Sequence, residues 1–536
     1  MSRIHILDCT LRDGGYINSF DFGKSAIRDI IKGLAESSID VIECGFLRAG
    51  CTDENKTLFP SIKSMEWYIG EKHHNVLYVA MIQYGAIGID EIEDCKGNSI
   101  DGIRLSFHEH EIEPSLIMAK RLQDKGYKVF MQPVGTTAYS DEELLALIKK
   151  INALKPYAFY MVDTLGKMYK QDLLRMFYLV DHNLSPDIVL GFHSHNNLQM
   201  SFANAQELTQ ISTVRKLIID SSILGMGRGA GNLNTELLAQ YLNVNQNFEY
   251  DVFKILNLMD LYIRPLTKIY RWGYDAAYYL AAVTGCHPNY AAFLLDKQTL
   301  QIRDIGVILN GMDESKRHLF DKSYIHAEYL KYMDHSVDDL EVCDRLRESI
   351  GTKTVLLLAP GKSLKASANR LTQVIEDHHP FVISVNFVPE AIPIDIVFVS
   401  NIRRFSGIAD LYKYTKAQIV VTSNIVHEDG KLWVVNYSSY LNENMCILDN
   451  AGLMCMQVLK KIGVKKIVLA GFDGFSAAPD DNFYEKSMRI DIEYERAVEM
   501  NRAISQKLLQ LKKQMEITFF DASEYARLGE NEECNV

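Results

Sequence analysis

Along the first 240 or so residues, short β-branched apolar runs alternate with longer stretches in which apolar positions recur every three or four residues. The runs are IHILDCT (4–10), IDVIECGF (39–46), VLYVAMI (76–82), DGIRLSF (101–107), KVFMQPV (128–134), AFYMVDT (158–164), IVLGFHSH (188–195) and KLIIDSS (216–222). Between them, 24–37, 113–125, 141–153 and 198–210 read as amphipathic helices. Eight strand–helix units in this length predict a (β/α)8 barrel, although an open doubly wound sheet alternates in the same way. The polar residues favour the barrel. Strand after strand ends in a chemically capable side chain: Arg12 and Asp13, Glu43, Arg104, Gln132, Asp163, then His193 and His195. In a barrel the carboxyl ends of all strands converge on one mouth, whereas an open sheet spreads most of them along a line.

The pattern changes near residue 245. Residues 245–349 look helical throughout and rich in aromatics, a post-barrel appendage ending in a charge-rich linker, HSVDDLEVCDRLRES (335–349). From 350 to 536 a second α/β pattern runs through KTVLLLAPGKSL, PFVISVNF, IDIVFVSN, AQIVVTSN and KKIVLAGFDG, with a strongly periodic helix near 484–513. This predicts a three-layer Rossmann-like domain after a barrel domain spanning 1–244.

At 536 residues the chain is too long for one core, and 47 % apolar with 24 % charged residues is an ordinary globular balance. A net charge of −12 argues against nucleic acid as a partner but not against a small anionic substrate. No run approaches a membrane span and no leader precedes the first strand, so a cytoplasmic protein is expected. Nine scattered cysteines without a C-x-x-C pair read as reduced thiols, mostly core filler.

Three local signals carry chemistry. His193 and His195 lie two apart on a strand, so both imidazoles reach one side and can share an ion; alone, such a pair is more often packing than ligand. Arg12-Asp13-Gly14-Gly15 makes a tight turn at a strand end, and by itself it reads as an ion pair closing that turn. Gly225-x-Gly-Arg-Gly-x-Gly-Asn232, with Glu236 one helical turn on, lets backbone amides approach a ligand.

In order and spacing these signals resemble the DRE-TIM metallolyases. That group includes 4-hydroxy-2-oxovalerate aldolase, 3-hydroxy-3-methylglutaryl-CoA lyase and the isopropylmalate synthases. The resemblance rests on D-x-T-L-R-D-G at the first strand, Glu43 in IECGF, D-T-L-G (163–166), H-S-H-N-N and G-x-G-R-G-A-G-N-L-N-T-E. It implies Asp13, His193 and His195 as ligands of a divalent metal (Mn or Mg, with Co or Zn as alternatives), and Asn232 as a further oxygen ligand. It implies Arg12 as the enolate-stabilising arginine and Glu43 as the carboxylate orienting it. Arg104 either binds a substrate carboxylate or forms a salt bridge inside the barrel, and Gln132 and Asp163 face the same pocket. The resemblance also implies pyruvate chemistry with an aldehyde partner and a homo-oligomer. One departure stands out. The aldolases place a histidine three residues after the metal-binding aspartate, and here that position is Tyr16, which either moves the proton or shapes the pocket. Tyr290, in HPNYA, is the counterpart of the tyrosine those aldolases bring from their post-barrel helices, or else a packing residue.

In the last third, Ala-Pro-Gly361-Lys362-Ser363 follows a strand. It is not a P-loop, because the glycine required five residues earlier is Leu356. The strand–PGKS turn, V-N-F…D-I-V-F-V-S-N and L-A-G-F-D-G resemble the MptE-like (6-hydroxymethylpterin pyrophosphokinase-like) domains and, more distantly, the bacterial sialyltransferase fold. That implies a nucleotide or nucleotide-sugar pocket built from Gly361, Ser363, Asn386, Asn401 and Asp473, with an anion at a helix start. The leading expectation is therefore a metal-dependent aldolase or lyase, and the fusion to a nucleotide-sugar-like domain points to surface carbohydrate metabolism. An acyl-CoA Claisen enzyme and a noncatalytic barrel scaffold are the alternatives.

Overall fold

The structure, a computed structural model, describes residues 4–411, 416–427, 431–478 and 494–533, together with 482, 484, 485, 488 and 492. Two compact units emerge. One runs through Phe293 and takes in Leu309–Asp321; the other takes Leu294–Ile308 and the chain from Lys322 onward.

The first unit is a parallel barrel of eight strands. They are β1 (Ile4–Asp8), β2 (Val41–Leu47), β3 (Leu77–Gln83), β4 (Gly102–Phe107), β5 (Lys128–Pro133), β6 (Ala158–Asp163), β7 (Val189–Ser194) and β8 (Leu217–Ser221). Neighbours pair in sequence order, and β1 pairs with both β2 and β8, which closes the ring. Every expected strand is present, with its ends moved by no more than two residues. Helices cover 24–36, 112–124, 141–154 and 201–210, and three more, Ile62–Ile69, Lys170–Asn183 and Thr235–Gln246, join them in the outer layer.

Strand alternation sorts the side chains. Leu7, Val41, Val79, Phe130, Ala158, Val189 and Ile218 point inward and pack on one another. Two residues further along the same faces stand Glu43, Gln132, Tyr160 and Asp220. The barrel interior is thus oily at the amino ends of the strands and polar at the carboxyl ends. The outward positions, such as Ile4, Ile6, Ile42, Ile103 and Ile219, join the helices in the larger core.

The segment 245–349 is helical as expected, but it is shared between the two units rather than forming a separate appendage. The charge-rich stretch expected as a linker carries a helix, Leu340–Ile350, whose Cys343, Leu346 and Ile350 are buried. Its charges occupy the opposite face, which is why the composition looked like a linker.

The second unit holds a seven-stranded parallel sheet: β9 (Val355–Leu358), β10 (Phe381–Val385), β11 (Ile396–Val399), β12 (Gln418–Thr422), β13 (Trp433–Val435), β14 (Lys466–Ala470) and β15 (Glu516–Phe519). Its order is β13-β12-β11-β10-β9-β14-β15, so the winding direction reverses between β9 and β14. The helix expected near 484–513 runs Tyr494–Lys512; residues 486, 487, 489–491 and 493 of that expectation lie outside the described residues. Among the described residues no helix is long and apolar enough to cross a membrane.

Candidate metal and active site

A chain of buried charges crosses the carboxyl end of the barrel. Arg12 Nε donates to Glu43 Oε2 at 2.8 Å while its Nη1 donates to Asp13. Arg104 Nη1 donates to the same Glu43 oxygen at 2.7 Å and its Nη2 donates to Asp220. Asp220 Oδ2 also lies 3.0 Å from His193 Nδ1. Two guanidiniums face three carboxylates (Asp13, Glu43, Asp220), which leaves one negative charge over in a region closed to water. Arg12 holds the Asp13 carboxyl well below the ordinary range against the upward push of burial, and His195 and His193 add to that. Burial pushes His195 down to about 3, so its imidazole is neutral and leaves one bare ring nitrogen for a cation.

Asp13, His193 and His195 each bring one donor atom to within 4.8 Å of the others, all three buried. Several donor atoms here lack any partner. His195 Nδ1, 4.0 Å from Asp13 Oδ2, is buried without a hydrogen bond, and so is Asn232 Oδ1. Asn232 is fixed with its amide on Asp13 Oδ2 (2.8 Å) and on the Met226 carbonyl (3.2 Å). Because Asp220 occupies His193 Nδ1, the other ring nitrogen is the one left for an ion. Orphaned buried acceptors, the neutral His195 imidazole and a surplus negative charge together fit a divalent cation.

The glycine-rich loop is shaped around this cluster. At Gly227 a Cβ would come within 2.4 Å of Asn232 Nδ2 and 2.9 Å of Asp13 Oδ2, and at Gly231 (φ +81°) within 2.1 Å of the Gly225 carbonyl oxygen. Only glycine fits either place. The loop is pinned from several sides: Asn196 N–H donates to Gly231 O (2.8 Å), Asn197 Oδ1 accepts from Ala230 (2.9 Å), and Trp272 Nε1 donates to Leu224 O (3.0 Å).

Residues 102–262 match the HMGL-like family model. An oxaloacetate decarboxylase from Mycobacterium tuberculosis is 29 % identical over 240 residues, 44 % of this chain and 69 % of that protein. A 4-hydroxy-2-oxovalerate aldolase from Geobacillus genomosp. 3 is 26 % identical over 267 residues, 49 % of this chain and 77 % of its own. The HMG-CoA lyase structure from Brucella melitensis aligns with a TM-score of 0.39 at 14 % identity, covering 50 % of this chain and 100 % of that one. The N-terminal half carries an HMGL-like domain.

Within the HMGL-like domain the remaining expected residues fall in different places. Arg104 is fully enclosed, paired with Glu43 and Asp220 and 4.8 Å from the Tyr160 ring, so in this structure it forms the intrabarrel ion pair. Gln132 is buried against it; with its amide oxygen turned inward it accepts from Arg104 Nη2 at 2.6 Å and Nε at 3.1 Å. Asp163 closes its own turn by accepting from the Lys167 and Met168 amides (both 3.0 Å), and burial raises it to about 6. Tyr290 is fully buried among the post-barrel helices, its hydroxyl 2.8 Å from Lys316 O and 2.6 Å from Leu319 O. Tyr16 stands at the rim, 45 % exposed, with Arg228 5.4 Å above its ring. Burial of its hydroxyl raises its pKa, so the phenol stays protonated. Sequence reasoning passed over Asp220, Arg228 and His287. Asp220 sits inside KLIIDSS, where period-2 alternation from Ile218 marks it as inward.

In the second unit Gly361, Asn386, Asn401 and Asp473 line one small crevice of about 170 Å³, open to solvent, with Phe472 and Phe475 among its walls. It opens where the strand order reverses. Ser363 is turned elsewhere: its amide donates to Asp473 Oδ2 at 2.8 Å and its hydroxyl to Oδ1. The anion expected at the start of helix Lys362–His378 is therefore the chain's own Asp473 carboxylate.

Proposed function

We propose that the HMGL-like half is a divalent-metal-dependent carbon–carbon lyase that makes or cleaves a 2-oxo acid by way of the pyruvate enolate. The carrying observation is the buried Asp13, His193 and His195 cluster set beside an arginine that is already locked in place. Those three residues, with Asn232 Oδ1, would hold the ion. A bound Mn or Mg (Co or Zn as alternatives) supplies Lewis-acid polarisation of the 2-oxo acid. The rest is done by the chain. Arg12 has Nε on Glu43 and Nη1 on Asp13, which leaves Nη2 to meet negative charge developing on the substrate oxygen without reorganising. Asp220 fixes the His193 tautomer. Tyr16, neutral at the rim, is placed to give a proton rather than take one. Loss of carbon dioxide from oxaloacetate and retro-aldol cleavage of 4-hydroxy-2-oxovalerate both leave the enolate of pyruvate. The two relatives bearing those names support pyruvate as the shared half-substrate.

The test is exchange of the C3 protons of pyruvate in D2O, read by NMR after the metal is stripped. Exchange that requires Mn and vanishes in Arg12→Ala is the expected result. Exchange of acetyl-CoA instead would move the enzyme to the Claisen branch, and silence from both would sink the lyase reading. A Tyr16→Phe enzyme with unimpaired turnover would remove Tyr16 from the proton path.

For the second unit we infer a nucleotide or nucleotide-sugar site in the crevice between β9 and β14. It is supported by the position at the reversal of strand order and by the aromatic walls of the crevice. Equilibrium binding of ADP and UDP-glucose to the full chain checks it; binding of neither overturns it.

A further inference from the structure

Three arginines serve the barrel mouth, and they differ in one respect. Arg12 and Arg104 each engage two carboxylates. Arg228 pairs with none: its charge is felt at Asp13, but among the described residues no acidic side chain lies within ion-pair distance of it, and its Nε is buried without a hydrogen-bond partner. A partly buried guanidinium left in that condition is costly unless something supplies the missing acceptor. Its location is defined by its neighbours. It follows Gly227, the residue pressed against Asp13 and Asn232, and it lies over the Tyr16 ring at the rim.

A second donor reaches the same rim from the post-barrel helices. His287 opens helix Pro288–Asp296, and Pro288 Cβ stands 3.5 Å from where a side chain on Gly229 would begin. The imidazole is buried, and its Nδ1 accepts from the Asn289 amide at 3.2 Å, so the proton of the neutral ring is on Nε2. Burial first, then the charges of Arg228, His195 and His108, push it down to about 3. It is a neutral N–H donor on the same rim as the Arg228 guanidinium.

We propose that Arg228 and His287 form an anion clamp on the rim of the barrel, selecting an acceptor aldehyde that carries a carboxylate or phosphate at its far end. This rests on the lyase reading above. Tyr16 acts in it as a positioning residue, its ring holding the guanidinium flat over the mouth. The clamp lies at the rim and not among the buried ligand atoms. Its charge therefore meets the part of a substrate distant from the reacting carbon, where a charge-assisted, two-pronged contact gives discrimination.

The experiment uses the full, Mn-loaded chain with pyruvate and two four-carbon aldehydes, succinic semialdehyde (anionic) and butanal (neutral). The expected wild-type preference in kcat/KM for the semialdehyde is about tenfold or more. In Arg228→Met the semialdehyde rate falls about tenfold further than pyruvate exchange does, mostly through KM, and the preference collapses. His287→Asn keeps an oxygen to cap the Asn289 amide but lacks the Nε2–H, and it moves the preference in the same direction. Equal use of the two aldehydes by the wild type overturns the clamp. So does an equal fall in exchange and condensation in Arg228→Met, which would place the guanidinium on pyruvate itself. If the wild type exchanges no pyruvate proton, the lyase reading fails and sulfate calorimetry decides the clamp. Binding lost in Arg228→Met supports it, and binding that is absent or unaltered overturns it.

Discussion

The carboxyl ends of the two parallel sheets present polar side chains in opposite conditions. In the second unit those around the crevice are satisfied within the chain: Asp473 caps Ser363, Asn386 Oδ1 accepts from Ser400, and Asn401 Oδ1 accepts from Arg404, while Asn436 Oδ1 and Asp521 Oδ2 at other strand ends are buried exceptions. In the barrel the charges are deeper, yet His195 Nδ1, Asn232 Oδ1, Glu43 Oε1 and Asp220 Oδ1 are buried with nothing to bind. A network that is complete in itself can lose a member at modest cost. A network left short by several partners is built around something that arrives later, and that is the physical signature separating a reactive centre from a well-made sheet edge.

Removing part of the incomplete network should therefore cost most. Asp13→Ala or His193→Ala is expected to abolish metal retention, measured by elemental analysis after desalting, and to lower metal-dependent pyruvate exchange by about a thousandfold or more. Chelation of the wild type should reproduce the loss, and re-addition of Mn should reverse it. Next comes Arg104→Met, which strands Glu43 and Asp220 in the interior. A stability loss of about 3–5 kcal/mol is expected by denaturant unfolding, and a stability equal to wild type would mean those carboxyls are neutral.

The third test concerns acid. His287 has a folded pKa near 3 against about 6.5 unfolded, so the folded state binds fewer protons and stability is lost as pH falls below about 6.5. At pH 5 this amounts to about 2 kcal/mol, which His287→Asn should remove; His195 contributes a similar acid loss in the metal-free protein and remains. An unaltered stability difference between pH 7 and pH 5 in the variant would contradict the buried, neutral imidazole. Smallest is Ser363→Ala in the second unit, expected to cost about 1 kcal/mol and to leave pyruvate exchange untouched. A large activity loss there would break the contrast between the two sheets.

Much of this was legible in the chain because the repeat of two along a strand is a local property. Val41 and Glu43, Phe130 and Gln132, and Ile218 and Asp220 declare their shared faces without any tertiary knowledge. So do the ligand positions, since H-x-H and the Arg-Asp turn need only a strand and its end. What could not be read was pairing across the ring. Whether Arg104 meets a substrate or Asp220, 116 residues away, depends on strand tilt and register. The capping of Ser363 by Asp473, 110 residues apart, is likewise set by strand order. His287 and Tyr290 sit in one five-residue motif, and only the packing of that short helix decides which faces the mouth and which the core.

The loop from Leu224 to Asn232 is held on one side by the barrel and on the other by Trp272, with Pro288 against Gly229. During synthesis the ligand residues are all present once the eighth strand and its loop have emerged, but Trp272 and His287 follow about 40 and 55 residues later. The nascent barrel would thus acquire its ion-binding cluster before it acquires its rim. In lineage terms, exchanging the post-barrel segment could re-target the second substrate while the enolate-forming centre stays unchanged.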